Sequence, residues 1–148
     1  MPPSSPLSKP QRRVLDDALR LVRDQRQRAE ADGAPFPPDV AWTTPFGLGY
    51  FVGVVDGLSQ AHGVPFDGMA LAVLGLVLDD TFGRPESDRL RQRALRLMEA
   101  GDAGFERGRP WGGNESIGMA RGLSKPVGLV HLARGDEARM GPPVGGPG

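Results

Sequence analysis

The stretch that decides the fold is an apolar segment that is rich in glycine and has no basic residue. Residues 44–63 read TPFGLGYFVGVVDGLSQAHG, and residues 67–83 read DGMALAVLGLVLDDTFG. Thr44 before Pro45 is typical of a helix N-cap followed by a first-turn proline, whose missing N–H would have no helical partner anyway. The two runs predict a buried helical hairpin over residues 44–83.

Length and flanking residues favour helices over strands in both runs. Several valines would suit a strand, and a short apolar run cannot be assigned by periodicity alone. Gly63 and Pro65 are suited to end the first helix, while Asp67 and Gly83 suit the start and end of the second. Neither run alternates between apolar and polar residues.

Three glycines of the first run are spaced to form a groove. Gly49, Gly53 and Gly57 recur every four residues and so share one face of a helix. We expect this groove to receive small residues of the second run, which are Ala70, Ala72 and Gly75. A groove that accepts a second chain is the alternative.

Amphipathic segments flank the hairpin on both sides. Ser8 and Gln11 form a capping-box pattern that predicts the start of the first helix. After the hairpin, one apolar stripe predicts a helix from Pro85 to Phe105, with a weak point at Gly101. The hairpin has acidic residues but no base, so we expect arginines of the flanking helices to pair with its aspartates.

These patterns predict an all-α fold. We expect a single compact domain of five or six helices over residues 7–140, built around the apolar hairpin at 44–83. The proline-rich residues 1–6 and the Gly/Pro residues 141–148 are predicted to be disordered.

The most site-like segment lies near the C-terminal end. Residues 107–113 are predicted to form a loop, followed by two short helices from Asn114 and Ser124. Arginine and tryptophan dominate the energetics of many protein interfaces, and free amides at a helix start can hold an anion. The predicted binding residues are Arg109, Trp111, Gly112, Gly113, Asn114 and Glu115. The alternative is a loop in which Trp111 only anchors the last helices to the core.

Composition restricts the partners and the compartment. The 148 residues carry no net charge and have a pI near 6.7, so no overall field attracts nucleic acid or an anionic membrane. There are no cysteines, and the first residues do not resemble a signal peptide, so we expect a cytoplasmic protein. Sixteen arginines against two lysines, with abundant Ala, Gly and Pro, suit a GC-rich bacterial genome.

No pattern points to catalysis, a cofactor or a metal. Residues 47–53 resemble a loose dinucleotide-binding pattern, but they lie inside a predicted helix where no phosphate turn can form. Ser59 near His62 approaches a nucleophile pattern without the strand-to-helix turn that would expose the hydroxyl. We therefore expect no catalytic residue, no metal and no cofactor.

The sequence favours a soluble interaction, adaptor or regulatory protein that binds another protein or itself, in the second case as a homodimer. One alternative is a small-molecule or anion binder, or an enzyme, that uses a polar cleft near residues 107–115. A pocket lined by Asp56, Ser59 and His62 would favour an enzyme. The other alternative is a helical hairpin that associates with a membrane, although both apolar runs are shorter than a spanning helix.

Overall fold

A computed structural model describes residues 7–141, and every regular element in that range is helical. The α-helices are α1 (Lys9–Ala31), α2 (Pro38–Ala41), α3 (Pro45–Ala61), α4 (Gly68–Phe82), α5 (Glu86–Ala100), α6 (Ala103–Ala120) and α7 (Gly128–Ala133), and a 3-10 turn follows at Glu137–Arg139. The predicted all-α class is confirmed, with seven α-helices in this range instead of five or six. The disorder predicted for residues 1–6 and 142–148 lies outside the described residues.

Local signals set the helix ends as predicted. The Ser8 hydroxyl accepts from the Gln11 amide at 3.2 Å, and the Gln11 side chain accepts from the Ser8 amide at 2.7 Å. The Thr44 hydroxyl accepts from the Gly47 amide at 3.1 Å. At the expected weak point, Gly101 takes a left-handed conformation with φ 62° and ends α5. These ends depend on nearby residues alone, which is why the sequence predicts them well.

The loop predicted over residues 107–113 is wrong, because these residues form the middle of α6. Pro110 lies inside the helix and is exposed. A proline inside a helix removes one backbone hydrogen bond and usually breaks the helix. Here the opposite side of α6 packs tightly against α3, and this packing outweighs the local preference.

The predicted partner of the glycine groove is also wrong, because the groove receives α6 instead of α4. A Cβ atom added at Gly49 would lie 2.1 Å from the Phe105 carbonyl oxygen, and one added at Gly53 would lie 2.0 Å from that of Arg109. In return, a Cβ added at Gly108 would lie 2.0 Å from the carbonyl oxygen of Phe46. Both helices therefore use glycine to bring their backbones together, as small residues do in closely packed helix pairs.

The order of these contacts shows that α3 and α6 run parallel. Residue numbers rise together along the interface, from Gly49 against Phe105 to Gly57 against Gly113. Residues 46–55 of α3 are all buried, and the helix contacts α1, α4, α5, α6 and α7. α3 is thus the central element of the domain.

α4 packs between α1 and α5. Ion pairs hold its C-terminal end, since Arg23 lies 2.6 Å from Asp80 and Arg84 lies 3.2 Å from Asp79. The predicted pairing of flanking arginines with the aspartates of the hairpin is confirmed at these positions.

Candidate interaction surface

The residues predicted to bind a partner are largely occupied by contacts within the domain. The Arg109 guanidinium lies 3.5 Å from the Asp56 carboxylate and 5.6 Å from the centre of the Phe66 ring. Trp111 packs partly buried against the core, and its indole N–H donates to the Gly141 carbonyl at 2.7 Å. The role predicted for residues 109–115 in binding a partner stays a prediction.

The two glycines of this set lie on α6 with different surroundings. Gly112 faces the α3 backbone so closely that an added Cβ would lie 2.0 Å from the Tyr50 carbonyl oxygen. At Gly113 the nearest atom would be the Gly53 carbonyl oxygen, at 3.6 Å. Asn114, the next residue, is exposed.

Glu115 belongs to a hydrogen-bond network that holds the start of α7. Its carboxylate accepts from the Tyr50 hydroxyl at 2.5 Å and from the amides of Val127 at 2.9 Å and Gly128 at 2.8 Å. The Tyr50 hydroxyl also accepts from the Gln25 side-chain amide at 3.0 Å. Burial, reinforced by the nearby Glu115 carboxylate, raises the pKa of Tyr50 well above its ordinary value. Tyr50 therefore stays protonated and donates to Glu115.

The groups that would favour an enzyme do not form a common site. Ser59 is only 1% exposed, so its hydroxyl is not accessible to a substrate. Asp56 pairs with Arg109 on α6, whereas the His62 ring nitrogen lies 2.9 Å from Asp17 on α1. No group of three or more potential metal-binding side chains lies together within residues 7–141.

The sequence did not predict a groove that runs along α4. It has a volume of about 530 Å³, and its lining residues come from Leu7 and the N-terminal part of α1, the outer face of α4, the connection between α4 and α5, and the start of α5. They are Leu7, Arg12, Leu15, Met69, Ala72, Gly75, Leu76, Asp79, Arg84, Asp88 and Arg91. The floor, formed by Met69, Ala72, Gly75 and Leu76 of α4, is apolar, and the charged side chains come from α1, the end of α4, the connection between α4 and α5, and α5.

The sequence did contain a signal for this groove. Residues 68–78 of α4 include no charged or strongly polar side chain. A helix that is apolar all around must be covered on every side or leave an apolar face exposed. α1 and α5 cover only its flanks, so Ala72 is exposed and Leu76 is 42% exposed.

The carboxylates of the groove already have partners. Asp79 accepts from the Ser87 hydroxyl and pairs with Arg84, and these contacts, the Ser87 hydrogen bond foremost, lower the pKa of Asp79 below its ordinary value. Asp88 lies 3.7 Å from Arg91. Arg12 belongs to none of the ion pairs found between described residues. Among the residues that the structure describes, its positive charge is therefore the one in the groove that has no ion-pair partner.

Comparisons with known proteins add no further constraint. No protein-family model, curated protein or solved structure matches this chain.

Within residues 7–141, none of the helices combines the length and the apolar character needed to cross a bilayer.

Proposed function

We propose that this protein is a non-catalytic interaction module that binds a segment of another protein in the groove between α1, α4 and α5. The observation that supports the proposal is the apolar outer face of α4, where Leu76 is 42% exposed on the floor of a groove of about 530 Å³. We call this face, with the side chains that flank it, the α4 groove.

The shape of the α4 groove suits a helical segment. From Met69 to Asp79 the groove follows α4 over eleven residues, a rise of about 15 Å in an α-helix. That length matches nearly three turns of a second helix. An amphipathic helix that lays its apolar face into such a groove is a recurrent mode of protein recognition.

An apolar floor is not required for the fold. Single exposed apolar side chains are common on protein surfaces and need no explanation. Here Met69, Ala72, Gly75 and Leu76 line one concave surface together. Polar residues at the exposed positions 72 and 76 would keep the helix and remove the apolar surface, so its presence supports a binding role.

We also propose that the protein acts in the cytoplasm. The chain has no cysteine, which is in keeping with a reducing compartment.

A photo-cross-linking experiment tests the proposed function. Benzoylphenylalanine is placed either at Ala72 in the α4 groove or at Asn114 on α6, both of which are exposed. Each full-length variant is irradiated in the cells that naturally make the protein. We expect a discrete cross-linked partner from position 72 and none from position 114.

The control position separates two binding sites. Cross-links from position 114 alone would support the binding role of residues 109–115 instead of the α4 groove. A lack of cross-links from both positions, with both variants folded and abundant, would contradict the proposed function.

A further inference from the structure

We propose that the partner segment is an amphipathic helix whose C-terminal end is acidic and lies against Arg12. This inference rests on the proposed function, because it specifies the chemistry and the direction of the segment that occupies the α4 groove. It follows from the distribution of charge along the groove.

The directions of α1 and α4 give the groove a positive end. Arg23 of α1 pairs with Asp80 of α4 at 2.6 Å, and Leu7, Arg12 and Met69 line the groove before this pair in both helices. The two helices therefore run parallel, with both N-termini at the Leu7–Met69 end. A helix N-terminus carries a partial positive charge, which adds to the basic side chains there.

The first turns of α1 reinforce this positive end. Its first turn has no acidic residue, and Lys9, Arg12 and Arg13 all precede the first acid, Asp16. Basic side chains such as these are unfavourable at a helix N-terminus, because the partial charge of the helix is also positive there. At the same end Asp67 caps α4 by accepting from the amides of its first turn, and it does not line the groove.

Within residues 7–141, the opposite end of the groove has no comparable charge without a partner. Asp79 is bound by Ser87 and Arg84, and Asp80 is bound by Arg23 at 2.6 and 3.0 Å. An occupant therefore gains most by placing a carboxylate beside Arg12. A helix that runs antiparallel to α4 also brings the negative end of its own dipole to this place.

The concave shape favours a helix over a lipid surface. Leu76 and Ala72 lie on the floor of a groove flanked by side chains of α1 and α5. A bilayer surface is best reached by apolar side chains that protrude, whereas the apolar side chains of a helix can enter the groove. Light scattering, described below, distinguishes this helix from a second copy of the chain.

A peptide selection tests the inference. Displayed 14-residue helical peptides are selected for binding to the full-length protein, with counter-selection against Leu76→Gln. We expect the selected peptides to have apolar residues at helical spacing and Glu or Asp concentrated at the C-terminal end. The variant Leu123→Gln, which changes an exposed leucine outside the groove, should bind them as the wild type does.

Charge reversal then tests the role of Arg12. At low salt, Arg12→Glu should weaken a selected peptide by about fivefold, since an exposed ion pair is replaced by a repulsion. Arg121→Glu makes the same change in net charge at an exposed position outside the groove and should leave the affinity unchanged. Circular dichroism confirms that each variant is folded.

The outcomes separate the inference from the proposed function. Selected peptides without an acidic C-terminal bias, or with affinities that ignore Arg12→Glu, would refute the inference and leave the groove as a binding site. A cross-linked partner together with no selected peptide would show that the occupant is not a helix, which also refutes it. A lack of cross-links from both positions, whether or not peptides are selected, would contradict the proposed function itself.

Two measurements cover the other occupants. Binding to phosphatidylglycerol vesicles that is lost in Leu76→Gln would overturn the inference in favour of a lipid surface. A dimer in light scattering that becomes monomeric in Leu76→Gln would overturn it in favour of a second copy.

Discussion

Two adjacent glycines of α6 should respond in opposite ways to the same substitution. A methyl group added at Gly112 would lie 2.0 Å from the Tyr50 carbonyl oxygen and 2.9 Å from the Val54 nitrogen. The same group at Gly113 would lie 3.6 Å from its nearest neighbour, which is ordinary contact. Both residues are in the interior of the same helix, so alanine raises helix propensity equally at the two positions.

The structure sets the size of the difference. The usual carbon–oxygen contact is about 3.3 Å or longer, so Gly112→Ala forces α3 and α6 apart by about 1.3 Å. A gap of about 0.5–1 Å already removes a quarter to a half of the dispersion energy of a contact. Overpacking of this kind costs about 1–3 kcal/mol or more. It exceeds the gain of about 1 kcal/mol in helix propensity.

We therefore expect Gly112→Ala to lower the free energy of unfolding by about 2 kcal/mol or more. Gly113→Ala should raise it by about 0.5–1 kcal/mol. Urea unfolding followed by far-UV circular dichroism measures both, with the m-value as a check that the unfolding transition is unchanged. Equal stability of the two variants, or a more stable Gly112→Ala, would refute the close α3–α6 contact.

Three further predictions concern side chains outside the glycine interface. Tyr50→Phe removes the hydroxyl that joins Gln25 to Glu115, and it should lower the free energy of unfolding by about 1–3 kcal/mol in urea, because buried partners lose a hydrogen bond. The pKa of Asp79 is lowered in the folded state, so its stabilising contribution is present above about pH 4 and is lost as the pH falls through the lowered pKa. Asp79→Asn should therefore make the free energy of unfolding fall less steeply between about pH 5 and 2. An unchanged dependence of stability on acid pH would contradict this. Trp111→Ala should lower the thermal midpoint of unfolding and leave peptide binding to the α4 groove unchanged. Weaker peptide binding at an unchanged thermal midpoint would instead favour the role of Trp111 as a binding residue.

Much of the fold could be predicted because helix ends depend on neighbouring residues. Ser8 and Thr44 cap the helices that follow them, and Gly101 ends α5 in the left-handed conformation. These devices work through contacts three or four residues apart, so the sequence alone contains the whole interaction.

The helix α6 was missed because local preference and tertiary packing disagree there. Pro110 and its neighbouring glycines favour a loop when they are considered alone. Gly104, Gly108 and Gly112 nevertheless recur every four residues, the same spacing as in α3. Recognising that two such stripes could pack together would have predicted both the helix and its partner.

The α4 groove could not be located from the sequence, because an apolar helix face becomes a surface only when no other element covers it. Residues 68–78 show that α4 has no polar face. Whether Leu76 is buried or exposed depends on where α1 and α5 lie, which is a property of the assembled fold.

The most direct test of the account is the yield of the partner cross-linked from position 72, compared between two leucine variants. Leu76→Gln removes an apolar side chain from the groove floor, and Leu123→Gln removes a more exposed one elsewhere. Burial of the exposed part of Leu76 by a partner is worth about 1 kcal/mol, so we predict a yield about fivefold lower in Leu76→Gln and unchanged in Leu123→Gln. Equal yields from the two variants, with both proteins folded, would contradict the account.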